Sequence, residues 1–371
     1  MKKILFVCNT SWGVFNFRLG LIKTLQKAGF EVHVLAPEDK TSYFLKEEGV
    51  HFHSIYIDNK GTSPIKDFSL LCKLYKIYKK ISPDLIFHYT IKPNIYGSIA
   101  AKLANIKSIA FVTGAGHAFN KSEGWLSLIV EKLFSFALNF PVRVWFLNKE
   151  DTNLFVDKGL VDSYKVEILP SEGINTEFFI PENSVRKSDK ISFLFFSRLL
   201  WDKGIGEFVE AARLLKDKYC NLEFNVLGFL DWENPEAVSK SDVDQWEKDG
   251  FVKYLGATND VKKFIHDSDC IVLPSYYREG IPRTLLEAAS LCKPIITTDH
   301  VGCREVVDDG INGFLCRTRD PIDLANKIEK FIKLSYEEKV IMGENGRTKV
   351  VKEFDEKIVI DKYLATINDE L

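Results

Sequence analysis

Residues 191–227 read ISFLFFSRLLWDKGIGEFVEAARLLKDKYCNLEFNVL. The first six form a nearly continuous apolar run, residues 205–216 set apolar side chains at helical spacing, and residues 222–227 form a second short apolar run. Strand, helix, strand in that order is a βαβ unit. Strands that read as near-continuous apolar runs belong to a parallel sheet covered on both faces. The same grammar extends in both directions. Downstream, residues 252–255, 270–273 and 294–297 read as strands and 282–291 as a helix. Upstream, residues 3–8, 30–36, 85–88, 108–112 and 144–147 read as strands with helical segments between, the first at 19–28 and closed by Gly29. The predicted class is α/β, with two Rossmann-like, doubly wound domains facing across a cleft. Such folds bind ligands at the carboxyl ends of their strands.

The chain has 371 residues, enough for two domains that each bury a core. Residues 171–190 are polar and hold Gly173 and Pro181, with Pro170 just before them, which marks a linker. The expected division is 1–170, a linker at 171–190, a second domain at 191–350, and a terminal helix at 351–371 packing back toward the first domain. Apolar residues are 46% and charged residues 27%, a globular balance. No uncharged run reaches the ~20 residues of a membrane span. Met1-Lys2-Lys3 and the apolar run after it mimic a signal peptide, but polar Asn9-Thr10-Ser11 follow too soon, so the expectation is a buried strand in a cytoplasmic protein. Seven scattered cysteines without a Cys-x-x-Cys pair argue against a disulfide framework or structural zinc. The net charge of -2 conceals an asymmetry. Residues 1–170 carry 22 Lys+Arg against 15 Asp+Glu, and the remainder is correspondingly acidic. A basic half fits an anionic partner, a membrane surface or a phosphate, and equally a solvated basic face.

The chemistry concentrates at residues 273–287, LPSYYREGIPRTLLE. A strand ends at Leu273, a loop runs through Glu279 and Gly280, and Pro282 suits the first position of a helix. The N–H groups of Arg283, Thr284 and Leu285 would then be open, and with the helix dipole they make an anion site fit for a diphosphate. Gly280 permits close backbone approach, with Ile281 beside it. Glu279 and Glu287 would repel phosphate but accept from hydroxyl groups, which outlines a nucleotide sugar. Taken alone, Glu287 reads equally as a solvated helix residue and Glu279 as a loop charge. A second loop, residues 197–204, sets Arg198 and Lys203 between a strand and a helix, where two cations could neutralise a diphosphate leaving group.

These residues carry a resemblance. SRL…KG at 197–204 and PSYYREGIPRTLLEA at 274–288, with Glu279 and Glu287 eight apart, resemble the retaining glycosyltransferases of family 4, which have the GT-B architecture. KPIITTD at 293–299, GCRE at 302–305, DGINGF at 309–314, KPNIYG at 92–97 and VTGAG at 112–116 extend the likeness over nearly the whole chain. The resemblance implies that Arg198 and Lys203 hold the donor diphosphate, that Glu279 meets the donor sugar, that Glu287 binds ribose, and that Gly13 approaches the diphosphate when the domains close. It implies an acceptor in the first domain, where Phe15 to Arg18 look like the acceptor loop of enzymes that extend undecaprenyl-diphosphate-linked saccharides. Arg18 would meet the lipid diphosphate, with Lys92 as a further acceptor residue. Many family members carry a cleft histidine after the strand at 108–112; here His117 is shifted toward the following helix, where it either contacts the donor sugar or caps the helix. The expectation is a UDP-sugar donor carrying a hexose or N-acetylhexosamine, a lipid-linked saccharide acceptor, peripheral contact with an anionic membrane at its inner face, no nucleic acid, and no cofactor. A sugar-nucleotide epimerase and a non-catalytic nucleotide-sugar-binding protein share the architecture and remain as alternatives.

Other signals are weaker. Asp242-Val-Asp244 matches a metal-binding Asp-x-Asp, but its polar surroundings read as a surface helix, where residues two apart do not face each other, so no metal is expected. His51-x-His53 has no third ligand nearby in sequence. Gly114-x-Gly116 lacks the third glycine of a dinucleotide fingerprint. Residues 66–80 carry five lysines on a helical apolar pattern, and residues 124–146 are rich in Trp, Phe and Leu. Both read first as helices of the fold, whose outer faces could rest on an anionic bilayer.

Overall fold

The computed structural model describes residues 1–58, 61, 63–114, 125–182, 189–231, 234, 236–258, 260–278 and 280–371. The chain divides into two compact units, one of Met1–Gly173 with Glu356–Leu371 and one of Ile174–Asp355.

The first unit runs β1 (Lys3–Val7), α1 (Ser11–Lys27), β2 (Glu31–Ala36), α2 (Lys40–Glu47), β3 (His51–Ser54), α3 (Pro64–Ile81), β4 (Leu85–Tyr89), α4 (Ser98–Ala104), β5 (Lys107–Val112), α5 (Trp125–Ala137), β6 (Arg143–Phe146), α6 (Lys149–Asp157) and β7 (Val166–Ile168). Its described strands are all parallel, in the order β3-β2-β1-β4-β5-β6-β7. Phe6 of β1 lies between Val34 of β2 and Phe87 of β4, and chain direction across the sheet reverses there, at the topological switch point. Local chemistry sets the helix ends. Thr10 caps α1 by accepting from the Gly13 N–H at 3.0 Å, Asp39 caps α2, and Pro64 opens α3, which closes on Ser82 in the left-handed region.

The second unit runs β8 (Ile191–Phe196), α7 (Ile205–Lys216), β9 (Leu222–Leu227), α8 (Lys240–Lys248), β10 (Lys253–Tyr254), α9 (Lys262–His266), β11 (Cys270–Leu273), α10 (Arg283–Ser290), β12 (Ile295–Thr298), β13 (Gly313–Cys316), α11 (Pro321–Ile332) and α12 (Tyr336–Glu353). Its described strands are parallel in the order β10-β9-β8-β11-β12-β13, with the switch point between β8 and β11. The last helix, α13 (Glu356–Glu370), belongs to the first unit. Its Tyr363 ring packs 5.0 Å from Phe87 and 4.7 Å from Trp145, and its hydroxyl meets that of Tyr89 at 2.6 Å.

The segment expected as a linker at 171–190 is built differently. Ile174 is fully buried and pairs with Asp355, the Thr176 hydroxyl bonds the Asp355 carboxylate, and Phe179 joins the core of the second unit. The boundary therefore falls between Gly173 and Ile174, and residues 183–188 lie outside the described residues. Asp242 and Asp244 are both used within α8. Asp242 forms a capping box with Ser239, and Asp244 pairs with Lys240 at 2.6 Å. Among the described residues no group of three His, Cys, Asp or Glu side chains is placed to hold a metal ion, and no helix is long and apolar enough to cross a membrane. All seven cysteines are free thiols.

Two histidine environments make the first unit acid-sensitive. His88 is fully buried on β4, bonded to the Tyr78 hydroxyl at 3.0 Å, and burial pushes its pKa down to about 3. At the sheet edge His33 stacks on both His51 and His53, and burial lowers the pKa of His33 and of His53. The unfolded chain binds these protons near the ordinary pKa of about 6.5, so stability is present above that value and is lost as pH falls below it. His88 alone should cost about 2 kcal/mol between about pH 6.5 and 5. Thermal unfolding followed by circular dichroism should show the midpoint falling over this interval, and His88→Gln should flatten that limb; equal slopes in the two proteins would dismiss this origin.

Candidate active site

The carboxyl ends of β8, β9 and β11 hold the residues singled out in the second unit. The chain leaving β8 is fixed by the chain leaving β9, through Ser197 N–H to Leu227 O at 3.2 Å, Leu199 N–H to Phe229 O at 3.1 Å and Trp201 N–H to Glu236 O at 2.8 Å. A short 3-10 turn over Trp201–Lys203 follows. The Asp202 carbonyl accepts from the N–H groups of Tyr276 and Tyr277, both at 3.0 Å, and from the Ser275 hydroxyl at 3.3 Å. These bonds join the β8 loop to the β11 loop. Gly204 makes the join possible. It holds φ +80°, and a Cβ there would fall 2.1 Å from the Pro274 carbonyl oxygen.

Within this join Lys203 is buried, with its ammonium 4.8 Å from the centre of the Tyr277 ring, a cation–π contact. Arg198 is more open, its guanidinium 3.6 Å from the Asp231 carboxylate. The sequence reading had not picked out Asp231 or Tyr277. The signal for Tyr277 was an aromatic pair directly after a strand end; Asp231 is paired with Arg198 only through the fold.

The helix expected to begin at Pro282 begins one residue later. Pro282 is the N-cap, with ψ 115°, and Arg283 is the first helical residue. The difference changes the donor set. The Leu285 N–H closes onto the Pro282 carbonyl at 3.1 Å and is not available to a ligand. The N–H groups of Gly280, Ile281 and Thr284 meet no acceptor among the described residues. Glu287 bonds the Arg283 guanidinium at 3.0 Å on the adjacent turn. Burial raises the Glu287 pKa, and Arg283 opposes that rise. The opposite side of α10 is fixed by Leu285, Leu286, Ala288 and Ala289 in the core. Glu279 lies outside the described residues.

In the first unit the expected residues are placed otherwise. Gly13 is not in a loop but in the first turn of α1, its N–H taken by Thr10, while the Trp12 N–H goes to Asp39 at 3.1 Å. Arg18, expected to face a lipid diphosphate, points inward. Its guanidinium pairs with Glu172, bonds the Gly13 carbonyl at 3.3 Å and lies 3.8 Å over the Tyr89 ring. Burial works to lower its pKa, but Glu172 and its other neighbours outweigh that and raise it, while burial pushes the Cys8 thiol up to about 12. Arg18 is thus buried and engaged within the first unit by a half-buried carboxylate. Lys92 is likewise engaged, bonding Asp67 at 2.6 Å, and Tyr96 holds the other Asp67 oxygen at 2.9 Å. Phe15 is half-buried and packs on Phe44, with 5.6 Å between ring centres. His117 lies outside the described residues.

The chain is similar to known glycosyltransferases. The family model described as glycosyl transferases group 1 matches residues 177–349, and that described as glycosyl transferase 4-like matches residues 3–144. The chain is 29% identical to the N,N'-diacetylbacillosaminyl-diphospho-undecaprenol alpha-1,3-N-acetylgalactosaminyltransferase of Campylobacter jejuni, over 98% of this chain and 97% of the relative. It is 27% identical to the UDP-Gal:alpha-D-GlcNAc-diphosphoundecaprenol alpha-1,3-galactosyltransferase of Escherichia coli, over 94% of this chain and 92% of the relative. The crystal structure of Anabaena Alr3699/HepE in complex with UDP covers 100% of both chains with a TM-score of 0.80 at 18% identity, a likeness of fold. Most of each unit thus falls within a matched family model, 4-like for the first and group 1 for the second, and the chain is a glycosyltransferase with the GT-B fold.

Proposed function

We propose that this enzyme moves a hexose or N-acetylhexosamine from a UDP-sugar to a lipid-diphosphate-linked saccharide, with retention of anomeric configuration, at the inner face of the cytoplasmic membrane. The observation that carries the reading is the joined pair of loops in the second unit, where the N–H groups of Gly280, Ile281 and Thr284, which meet no acceptor among the described residues, share one sheet edge with Arg198 and Lys203. Open amides and fixed cations together suit a diphosphate. The names of both relatives describe transfer to a sugar on diphospho-undecaprenol, and that of the E. coli enzyme gives UDP-Gal as donor.

In this scheme the donor β-phosphate sits against the start of α10. Arg198 and Lys203 stabilise the charge that develops on it as the glycosidic bond breaks. Glu279 accepts from hydroxyls of the donor sugar, and Glu287 accepts from the ribose hydroxyls. The acceptor hydroxyl attacks from the face the diphosphate leaves, and the departing phosphate oxygen takes its proton. No enzyme nucleophile, metal or organic cofactor enters the scheme.

Arg198→Ala, Lys203→Ala and Glu279→Ala should each lower kcat by about 100- to 1,000-fold, the size of a lost transition-state donor. Turnover on UDP-sugars with a lipid-diphosphate acceptor, in proteins with unchanged circular dichroism, measures this. Near-normal rates in all three would reject the site, and equal product formation without acceptor would favour an epimerase.

Glu287→Gln should separate ribose from phosphate recognition. Loss of a charged acceptor facing two hydroxyls should weaken UDP binding by about 10- to 100-fold while leaving inorganic pyrophosphate binding within a few-fold. Calorimetric titration with each ligand checks it. A parallel fall in both affinities would mean that Glu287 acts by holding Arg283 instead.

A further inference from the structure

Helix α3 presents two unlike faces. Leu70, Leu74, Tyr78 and Ile81 are buried, and Asp67, the one acid on the helix, turns inward to Lys92 and Tyr96. The outer face exposes Ile65, Phe68 and Tyr75 together with Lys66, Lys73, Lys76, Lys79 and Lys80. Lys66 reaches Asp58 at 3.5 Å; among the described residues Lys73, Lys76, Lys79 and Lys80 form no ion pair. The outer face of α3 itself therefore carries lysines and no acid of the helix, and Asp58 is an anion beside its first turn.

Its surroundings extend the same character. Right-handed crossovers place α3, α4 and α5 on one side of the sheet. The π-helical turn over Pro93–Gly97 touches both α3 and α5, and α5 exposes Leu128, Ile129 and Phe136. Crossover helices run antiparallel to the strands, so the beginnings of α3 and α5 lie at the carboxyl edge of the sheet. Ile65, Phe68, Leu128 and Ile129 thus crowd toward the edge where folds of this kind take ligands, and the lysines trail away from it.

We infer that the outer face of α3, continued by α5, docks on an anionic phospholipid bilayer, with Ile65 and Phe68 at the boundary of headgroups and acyl chains and the lysine row among the lipid phosphates. Long lysine stems can lie along the surface while their ammonium groups reach the headgroups. The face suits a protein partner poorly, because lysine is depleted in the cores of such interfaces. It carries no arginine, the usual reader of nucleic acid. The inference deepens the proposed lipid-linked acceptor. It rests on that reading for its purpose and on α3 for its geometry.

The test is cosedimentation of the full chain with vesicles of phosphatidylcholine alone or with about 30 mol% phosphatidylglycerol. The protein should bind the anionic vesicles and not the neutral ones. Binding should fall at least tenfold when Lys73, Lys76, Lys79 and Lys80 are all changed to Gln. It should fall similarly when salt rises from about 0.1 M to about 1 M and the screening length shrinks from about 10 Å to about 3 Å. Phe68→Ser should weaken it several-fold. Equal binding by wild type and the quadruple variant, or by neutral and anionic vesicles, overturns the docking face, as does a quadruple variant that loses binding to a DNA duplex but keeps the vesicles. With a short-chain acceptor dissolved in detergent the quadruple variant should keep wild-type turnover. If the wild type binds vesicles as stated yet transfers to no lipid-diphosphate acceptor, the acceptor reading fails and the docking face stands.

Discussion

The second unit is organised around one close approach. Between Gly204 and the Pro274 carbonyl there is no room for a side chain, and a Cβ at 2.1 Å would force the two loops apart. The same contact brings the Asp202 carbonyl within reach of two consecutive N–H groups on the β11 loop. Arg198 and Lys203 are carried by one of these loops, and the amides ahead of α10 by the other. Cations and amides converge on one anion only if the loops stay joined. A second glycine supports the same side, since a Cβ on Gly228 would fall 1.8 Å from the Ser197 carbonyl oxygen. The charged side chains are thus placed by backbone geometry that only glycine at two positions permits.

Much of this was legible in the sequence because parallel strands buried on both faces read as apolar runs, and the alternation with helices leaves few topologies. The strand-end loops at 197–204 and 274–282 were legible for the same reason. The misreadings have a common cause. Polar composition at 171–190 suggested a linker, yet Ile174 and Phe179 are anchors for partners more than a hundred residues away. The engagement of Arg18 has no local mark, because Glu172, its partner, lies 154 positions along the chain. The neighbour of His51 and His53 is equally invisible in sequence, since it is the parallel register that sets His33 opposite His51. Long-range pairing leaves no local mark. The single-residue error at Pro282 differs, because helix starts are hard to place from sequence, and here it decided whether Leu285 could donate to a ligand.

The two halves of the chain divide the electrostatic work. The basic surplus of residues 1–170 is not spread evenly, since Arg18, Lys92 and Arg143 are consumed by carboxylates within the first unit. The surplus that remains accessible includes the lysine row of α3. The second unit is acidic in sum, yet it carries Arg198 and Lys203 at the same sheet edge as amides that meet no acceptor among the described residues. A nucleotide diphosphate and an anionic surface are both recognised by positive charge, but they need different forms of it. The first calls for a few fixed donors at defined positions, and the second for many mobile ammonium groups whose exact placement does not matter.

Under the proposed function, the carboxylates around the two loops have a reason to be there. Arg198 faces Asp231 and Arg283 faces Glu287, so neither guanidinium lacks a counter-charge. Arg198 and Asp231 are partly exposed and 3.6 Å apart, an arrangement worth roughly 0–1 kcal/mol. A diphosphate oxygen offers a stronger charge-assisted bond and can displace Asp231 at little cost. The Arg283–Glu287 pair is more buried and closer, at 3.0 Å, so Arg283 is the less available to a phosphate. It is better suited to keep Glu287 ionised against the burial that raises its pKa, and so able to accept from a hydroxyl. Under the proposed function, one guanidinium exchanges its partner for the ligand, and the other keeps its partner ready for it.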